Sequence, residues 1–139
     1  MDDERELIGT LTLPGVERSV AYARKFCRDM LGGGHPVLDD VQTCVSEAFT
    51  NGVVHSRSGE GGKVTVALLA GPGLVVAEVV DDGGRGVPCV RDEGQAESGR
   101  GLRIIDALSV RWSAGEREGH TVVRMEFGCA LPQGAATSR

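Results

Sequence analysis

The sequence predicts an α+β fold, a two-layer sandwich with helices packed on one face of a mostly antiparallel sheet. Three observations carry this. Residues 16–31 and 36–55 repeat apolar side chains at helical spacing, while five shorter segments alternate or run apolar at strand length. The two middle strands are separated only by Gly71-Pro72-Gly73, which reads as a hairpin. The pieces fall in the order β-α-α-β-β, a long polar stretch, then α-β-β, with no internal repeat and no linker.

Residues 6–13 place Leu7, Leu11 and Leu13 on one face and Thr10 and Thr12 on the other, a half-buried strand ended by Pro14-Gly15. From Val16 onward, Val20, Ala23, Cys27, Met30 and Leu31 form a helical stripe closed by Gly32-Gly33-Gly34. Pro36 starts the second helix, and Asp39 and Asp40 in its first turn complement the positive end of the helix dipole. After His55, SRSGEGG reads as a flexible polar loop. Residues 63–70 and 74–80, rich in Val and Leu, are the hairpin strands. Residues 81–98 have almost no apolar content, so a lid or a disordered segment is expected there. Residues 102–108 form a short helix with Leu102, Ile105 and Leu108 on one face, and 110–114 and 121–127 close the sheet around a turn at 115–119. Residues 1–128 are expected to be one domain, and 129–139 a disordered tail.

With 139 residues the chain is long enough for one real core and leaves little room for a second. A net charge of −5 argues against a dedicated nucleic-acid binder, which needs a basic surface for phosphates. Aromatic residues are 4%, too few for base-stacking platforms. Cys27, Cys44, Cys89 and Cys129 show no CxxC spacing and no histidine at zinc-finger distance, so reduced thiols in a cytoplasmic protein are expected. The acidic start MDDERELIG is no secretory signal, and no apolar run approaches the roughly 18 residues of a membrane span.

Three stretches carry chemistry. In residues 41–55, VQTCVSEAFTNGVVH, Glu47, Asn51 and His55 fall at i, i+4 and i+8, a single polar line on a helix. Beside it Val41, Cys44, Val45, Ala48 and Gly52 make an apolar stripe suited to a sheet. A carboxylate that can take a proton and a carboxamide oxygen that can face Mg²⁺, one turn apart, suit a metal-nucleotide site, although solvated polar residues on an amphipathic helix would look the same.

The second stretch is a strand running into Asp81-Asp82-Gly83-Gly84-Arg85-Gly86. Glu78 and Asp82 share the face expected to see water, whereas Asp81 shares the other with Ala77 and Val79 and should point at the helices. A buried carboxylate needs a donor, and an amino group on a heterocycle is one; a plain Asp-Gly hairpin turn is the competing explanation. The third is Ser98-Gly99-Arg100-Gly101-Leu102, glycines leading into a helix N-terminus, where backbone N–H groups suit phosphates and Arg100 could add a charged fork. It is neither a Walker A loop nor a dinucleotide fingerprint.

Glu47-x-x-Thr50-Asn51-x-x-x-His55, the aspartate-glycine turn after a strand, and Gly99-x-Gly101 together resemble the three ATP-binding boxes of the GHKL superfamily, the Bergerat-fold ATPases. SEAFTNGVVHS and GRGLRIIDAL…RW…GHTVV look most like the stand-alone anti-sigma-factor serine kinases, over roughly residues 7–127. The resemblance implies ATP and Mg²⁺ as cofactors, with Asn51 as the metal ligand and Glu47 as the general base. It further implies that Asp81 accepts from the adenine amino group, that Gly83 lets the purine approach, and that Thr121 touches the adenine site. Gly99, Arg100 and Gly101 would wrap the phosphates, with the lid closing over them.

The family turn is commonly Asp-x-Gly-x-Gly, which is complete when counted from Asp82 and interrupted by Arg85 when counted from Asp81; strand parity favours Asp81. His55 is assigned either to holding the following loop or to the phosphates. The implied activity is a protein-serine kinase that sequesters a sigma factor and phosphorylates a serine on an antagonist protein. A nucleotide-responsive binding module without phosphotransfer is the alternative. No direct nucleic-acid or membrane partner is expected, and homodimerisation is left open.

Overall fold

The computed structural model describes residues 5–84 and 97–129, with only the backbone at 97–100. Five strands form one sheet: β1 (Glu6–Pro14), β2 (Lys63–Gly71), β3 (Leu74–Asp81), β4 (Arg111–Arg117) and β5 (His120–Gly128). Their spatial order is β1-β2-β3-β5-β4, and every neighbouring pair is antiparallel. Three helices, α1 (Ser19–Leu31), α2 (Leu38–His55) and α3 (Glu97–Leu108), cover one face, so the architecture is the expected α+β sandwich.

Helix α2 is the centre of the helical layer because its apolar stripe is complete. Val41, Cys44, Val45, Ala48, Phe49 and Gly52 are all buried along it. They meet Val64, Val66 and Leu68 of β2 and Val75, Ala77 and Val79 of β3, which alternate inward at the strand period. Each fully buried large side chain, Phe49, Phe127 and Leu68 among them, contributes about 1.5–3 kcal/mol of hydrophobic stabilisation. Cys27 and Cys44 are free thiols inside this layer, and burial pushes each up to about 12, with Asp40 and Glu47 adding to the effect at Cys44. No helix among the described residues is long and apolar enough to cross a membrane.

Several expectations need correction. Leu7 does not share the inward face of Leu11 and Leu13: a register shift between Leu7 and Gly9 turns it out, 60% exposed. In α1 the buried anchor is Phe26 rather than Met30, whose sulfur lies over Gly9 at the rim. Pro36 sits in the turn before α2, not in it. The segment after His55 is a 3₁₀ turn, Arg57–Glu60, with Ser58 fully buried, so it is an anchored connection and not a loose loop. Gly115 belongs to β4, and the closing turn is the tight pair Glu118-Gly119. Helix α3 starts at Glu97, five residues before the expected start, so Gly99, Arg100 and Gly101 lie inside it. Its seat on the sheet is reinforced by Trp112 of β4, whose indole N–H donates to Asp106 Oδ1 at 2.9 Å. The expected lid falls mostly on residues 85–96, and the tail on 130–139, outside the described residues.

Candidate functional site

At the C-terminal end of β3 the chain offers two adjacent carboxylates to opposite faces of the sheet. Asp82 turns to the open face. Its Oδ2 accepts the Lys63 N–H at 3.0 Å, its Oδ1 lies 3.8 Å from His120 Nε2, and with Lys63 and Thr65 it borders a shallow groove of about 320 Å³. Asp81 turns to the helices and is buried, 8% exposed, opposite the equally buried Thr121 in the β3–β5 register. Its Oδ1 accepts the Gly83 N–H at 2.7 Å. Burial holds the Asp81 carboxyl above the ordinary carboxylate range; Asp82 pushes the same way, and the Gly83 N–H, His120 and a hydrogen bond with Ser56 oppose it. Parity therefore resolves the register in favour of Asp81 as the inward group. The Asp-Gly sequence is not a hairpin turn, because β3 pairs next with β5, beyond α3.

Helix α2 reaches this carboxylate through Gly52. A methyl group placed on Gly52 would lie 3.0 Å from Asp81 Cβ and 3.3 Å from Oδ2, so glycine lets the helix sit close on the strand here. One residue earlier is Asn51 and one turn before that is Glu47, both half-buried on the line that ends at His55. Glu47 in turn touches α3: a methyl group on Gly101 would come within 2.8 Å of Glu47 Oε1. The fold thus gathers Asp81, Thr121, Asn51, Glu47 and Gly101 along one side of α2. Gly99 and Arg100 lie on the first turn of α3, next to Gly101 in the chain.

Two glycines have internal reasons for being glycine. Gly83, at φ 74°, could carry no side chain without striking the Gly119 carbonyl of the β4–β5 turn. Its smallness is thus demanded by the fold itself, apart from any ring that lies against it. Gly84, at φ 106°, is covered by the Arg57 side chain, and the Arg57 N–H donates to the Gly83 carbonyl at 2.8 Å.

Sequence reasoning missed the serines that tie these pieces together. Ser58 Oγ donates to the Lys63 carbonyl at 2.6 Å and accepts the Asp82 N–H at 2.8 Å. Ser56 Oγ donates to the Gly52 carbonyl at 2.6 Å and accepts the Ser58 N–H at 3.0 Å. The available signal was Ser-x-Ser directly after a helix, where hydroxyls habitually bond local backbone groups.

The donor set fits a nucleotide with its magnesium. Among the described residues no three His, Cys, Asp or Glu side chains cluster as metal ligands. Mg²⁺ commonly keeps its waters and takes one or two protein oxygens plus substrate phosphates, an arrangement the Asn51 carboxamide suits. Asp81 offers a buried carboxylate with acceptor capacity beyond its bond to Gly83.

Comparison with known proteins places the chain in a family. A stretch of 46 residues is 39% identical to the anti-sigma F factor of Clostridium acetobutylicum, covering 33% of this chain and 32% of that one. The chain thus spans about a third of the length of this curated relative. The crystal structure of the RsbU and RsbW domains of Rv1364c from Mycobacterium tuberculosis superposes with a TM-score of 0.66 at 24% identity, over 89% of this chain and 32% of that one, a likeness of fold. The family model described as histidine kinase-like ATPase domain matches residues 13–127, most of the chain. By that match the chain belongs to the histidine kinase-like ATPase domain family.

Proposed function

We propose that this chain binds Mg·ATP and acts as a regulatory protein-serine kinase, sequestering a sigma factor and phosphorylating a serine on an antagonist protein. The observation that carries the reading is the alignment along α2: a buried acceptor, Asp81, at Gly52; a neutral oxygen, Asn51; and a carboxylate, Glu47, against Gly101. ATP with Mg²⁺ would supply the transferable phosphoryl group and neutralise its charge. Asp81 and Thr121 would hold the adenine, Asn51 the metal, and the N-terminal turn of α3 with Gly99, Arg100 and Gly101 the phosphates. Phosphoryl transfer asks the protein for positioning and electrostatics more than for covalent chemistry, and this set would supply them. Glu47 would take the proton of the attacking serine hydroxyl at its carboxylate. The similarity to an anti-sigma F factor supports a sigma factor as partner, and the antagonist is taken from the resemblance to the anti-sigma-factor serine kinases.

Glu47→Ala is the test. It should keep ATP affinity, partner affinity and Tm, while phosphate transfer to a serine-bearing antagonist falls by roughly 10²- to 10⁴-fold, the worth of a positioned base. Wild-type protein that binds a sigma factor in an ATP-dependent manner but transfers no phosphate to any antagonist would overturn the kinase reading in favour of a binding module.

A further inference from the structure

Ser58 is fully buried in the 3₁₀ turn that follows α2, and each of its polar atoms is engaged. Its N–H donates to Ser56 Oγ at 3.0 Å, and its carbonyl accepts the Gly62 N–H at 2.9 Å. Its hydroxyl stands between two strands, donating to the Lys63 carbonyl of β2 at 2.6 Å and accepting the Asp82 N–H at 2.8 Å. The β2–β3 register ends at Thr65 and Val80, and two residues further on Lys63 stands opposite Asp82. In an unbroken antiparallel ladder, alternate opposed pairs exchange two N–H···O=C bonds. Here side chains take both places. The Lys63 N–H goes to Asp82 Oδ2 at 3.0 Å, and the Asp82 N–H goes to Ser58. A direct bond would bring backbone N and O to about 2.9 Å, so the inserted hydroxyl parts the strands.

We propose that Ser58 is a positioning residue for base recognition: its buried hydroxyl, wedged between the Lys63 carbonyl and the Asp82 N–H, sets the peptide that joins Asp81 to Asp82 and so aims the Asp81 carboxylate at the exocyclic amino group of the nucleotide. This rests on the reading of Asp81 given above and adds a residue to it. The connection runs along three residues of backbone. Ser58 holds the Asp82 N–H, and the next N–H, that of Gly83, donates to Asp81 Oδ1 at 2.7 Å. Arg57, the neighbour of Ser58, holds the far end by donating its N–H to the Gly83 carbonyl at 2.8 Å. On its other side β3 is fixed by β5, where Asp81 is in register with Thr121. Without the wedge, the Asp82 N–H and the Lys63 carbonyl lose their shared partner and face each other. Closing the ladder to satisfy them would draw Asp82 and Gly83 toward β2, and the anchor of the Asp81 carboxylate would move with them. Ser58 therefore acts through Asp81 and need not touch the nucleotide.

The distinguishing readout is selectivity and not affinity alone. ATP and purine riboside triphosphate, which lacks the exocyclic amino group, are titrated by calorimetry against wild type, Ser58→Ala, Asp81→Asn and the Ser58→Ala/Asp81→Asn double variant. Ser58→Ala should lower the preference for ATP by about 3- to 10-fold, with affinity for the unaminated nucleotide unchanged. In the Asp81→Asn background, loss of Ser58 should have no further effect on the preference. Should alanine unfold the turn, Ser58→Cys, a weak donor of similar volume, asks the same question and should also lower the ratio. An equal loss for both nucleotides, or an unchanged ratio in the folded Ser58 variant, overturns the proposal while leaving Asp81 in place. A wild type with no preference for ATP, or a preference that survives Asp81→Asn, overturns the reading of Asp81 itself.

Discussion

In the folded chain the Asp81 carboxyl holds its proton above the ordinary value of 3.8, chiefly because burial disfavours the charge. Between that value and its raised native one, the native state binds more protons than the unfolded chain. Stability therefore falls as pH rises through this window. Asp81→Asn removes the charge yet keeps an oxygen for the Gly83 N–H. The variant should melt with the wild type below the window and at a higher temperature above it, as a series of thermal scans against pH would show. Its affinity for ATP should fall about 10- to 100-fold, since an amide would point a donor at a donor. A lower Tm at neutral pH would mark Asp81 as a structural group. Asp82 offers the contrast: one residue on, it is bound by the Lys63 N–H and faces His120 on the open side.

Among the elements, α2 is seated by two glycine contacts of different stiffness. Gly52 meets Asp81 Cβ, close to rigid backbone, whereas Gly101 of α3 meets only the far end of the Glu47 side chain. Gly101→Ala should therefore raise stability by up to about 1 kcal/mol through helix propensity, while displacing the Glu47 carboxylate and lowering phosphotransfer. In Gly52→Ala the same gain is offset by about 1–3 kcal/mol of overpacking, and ATP affinity should fall with stability. Denaturant melts and turnover on both variants check this; Gly101→Ala at full turnover would show that Glu47 has room to move.

These contacts also explain what could be read from the sequence. The periodicity of residues 41–55 and the parity of β3 are local patterns, and they located α2 and the inward turn of Asp81. The start of α3 was not legible, because Ser98-Gly99-Arg100-Gly101 has poor helix propensity and the helix there is supported by packing on α2. The anchoring of residues 57–60 was equally hidden, since Ser58 finds its partner at Asp82, far along the chain. Leu7 alternates correctly in the sequence, and only the bulge in its pairing turns it outward.

At the scale of the whole molecule the sheet separates two chemistries. One face carries the helices and the residues proposed to meet the nucleotide. The other carries a polar network, with Glu78 accepting from Arg124 Nη1 at 2.6 Å and lying 3.5 Å from Arg117, and with the Thr12 and Thr65 hydroxyls 2.7 Å apart. The faces meet where the β4–β5 turn rests on Gly83, so the hairpin that closes the sheet also abuts the turn after Asp81. The far side of α3 is tied to the same hairpin by Trp112, the one tryptophan of the chain. An indole changes its emission with the partner of its N–H and the water around its ring, so nature has placed a fluorophore on the joint between α3 and the sheet. Asp106→Ala should alter the resting spectrum, and Mg·ATP should shift that of the wild type, giving a label-free titration of nucleotide in a chain with a single reporter. A spectrum indifferent to nucleotide would mean that α3 keeps its seat while the phosphates are held.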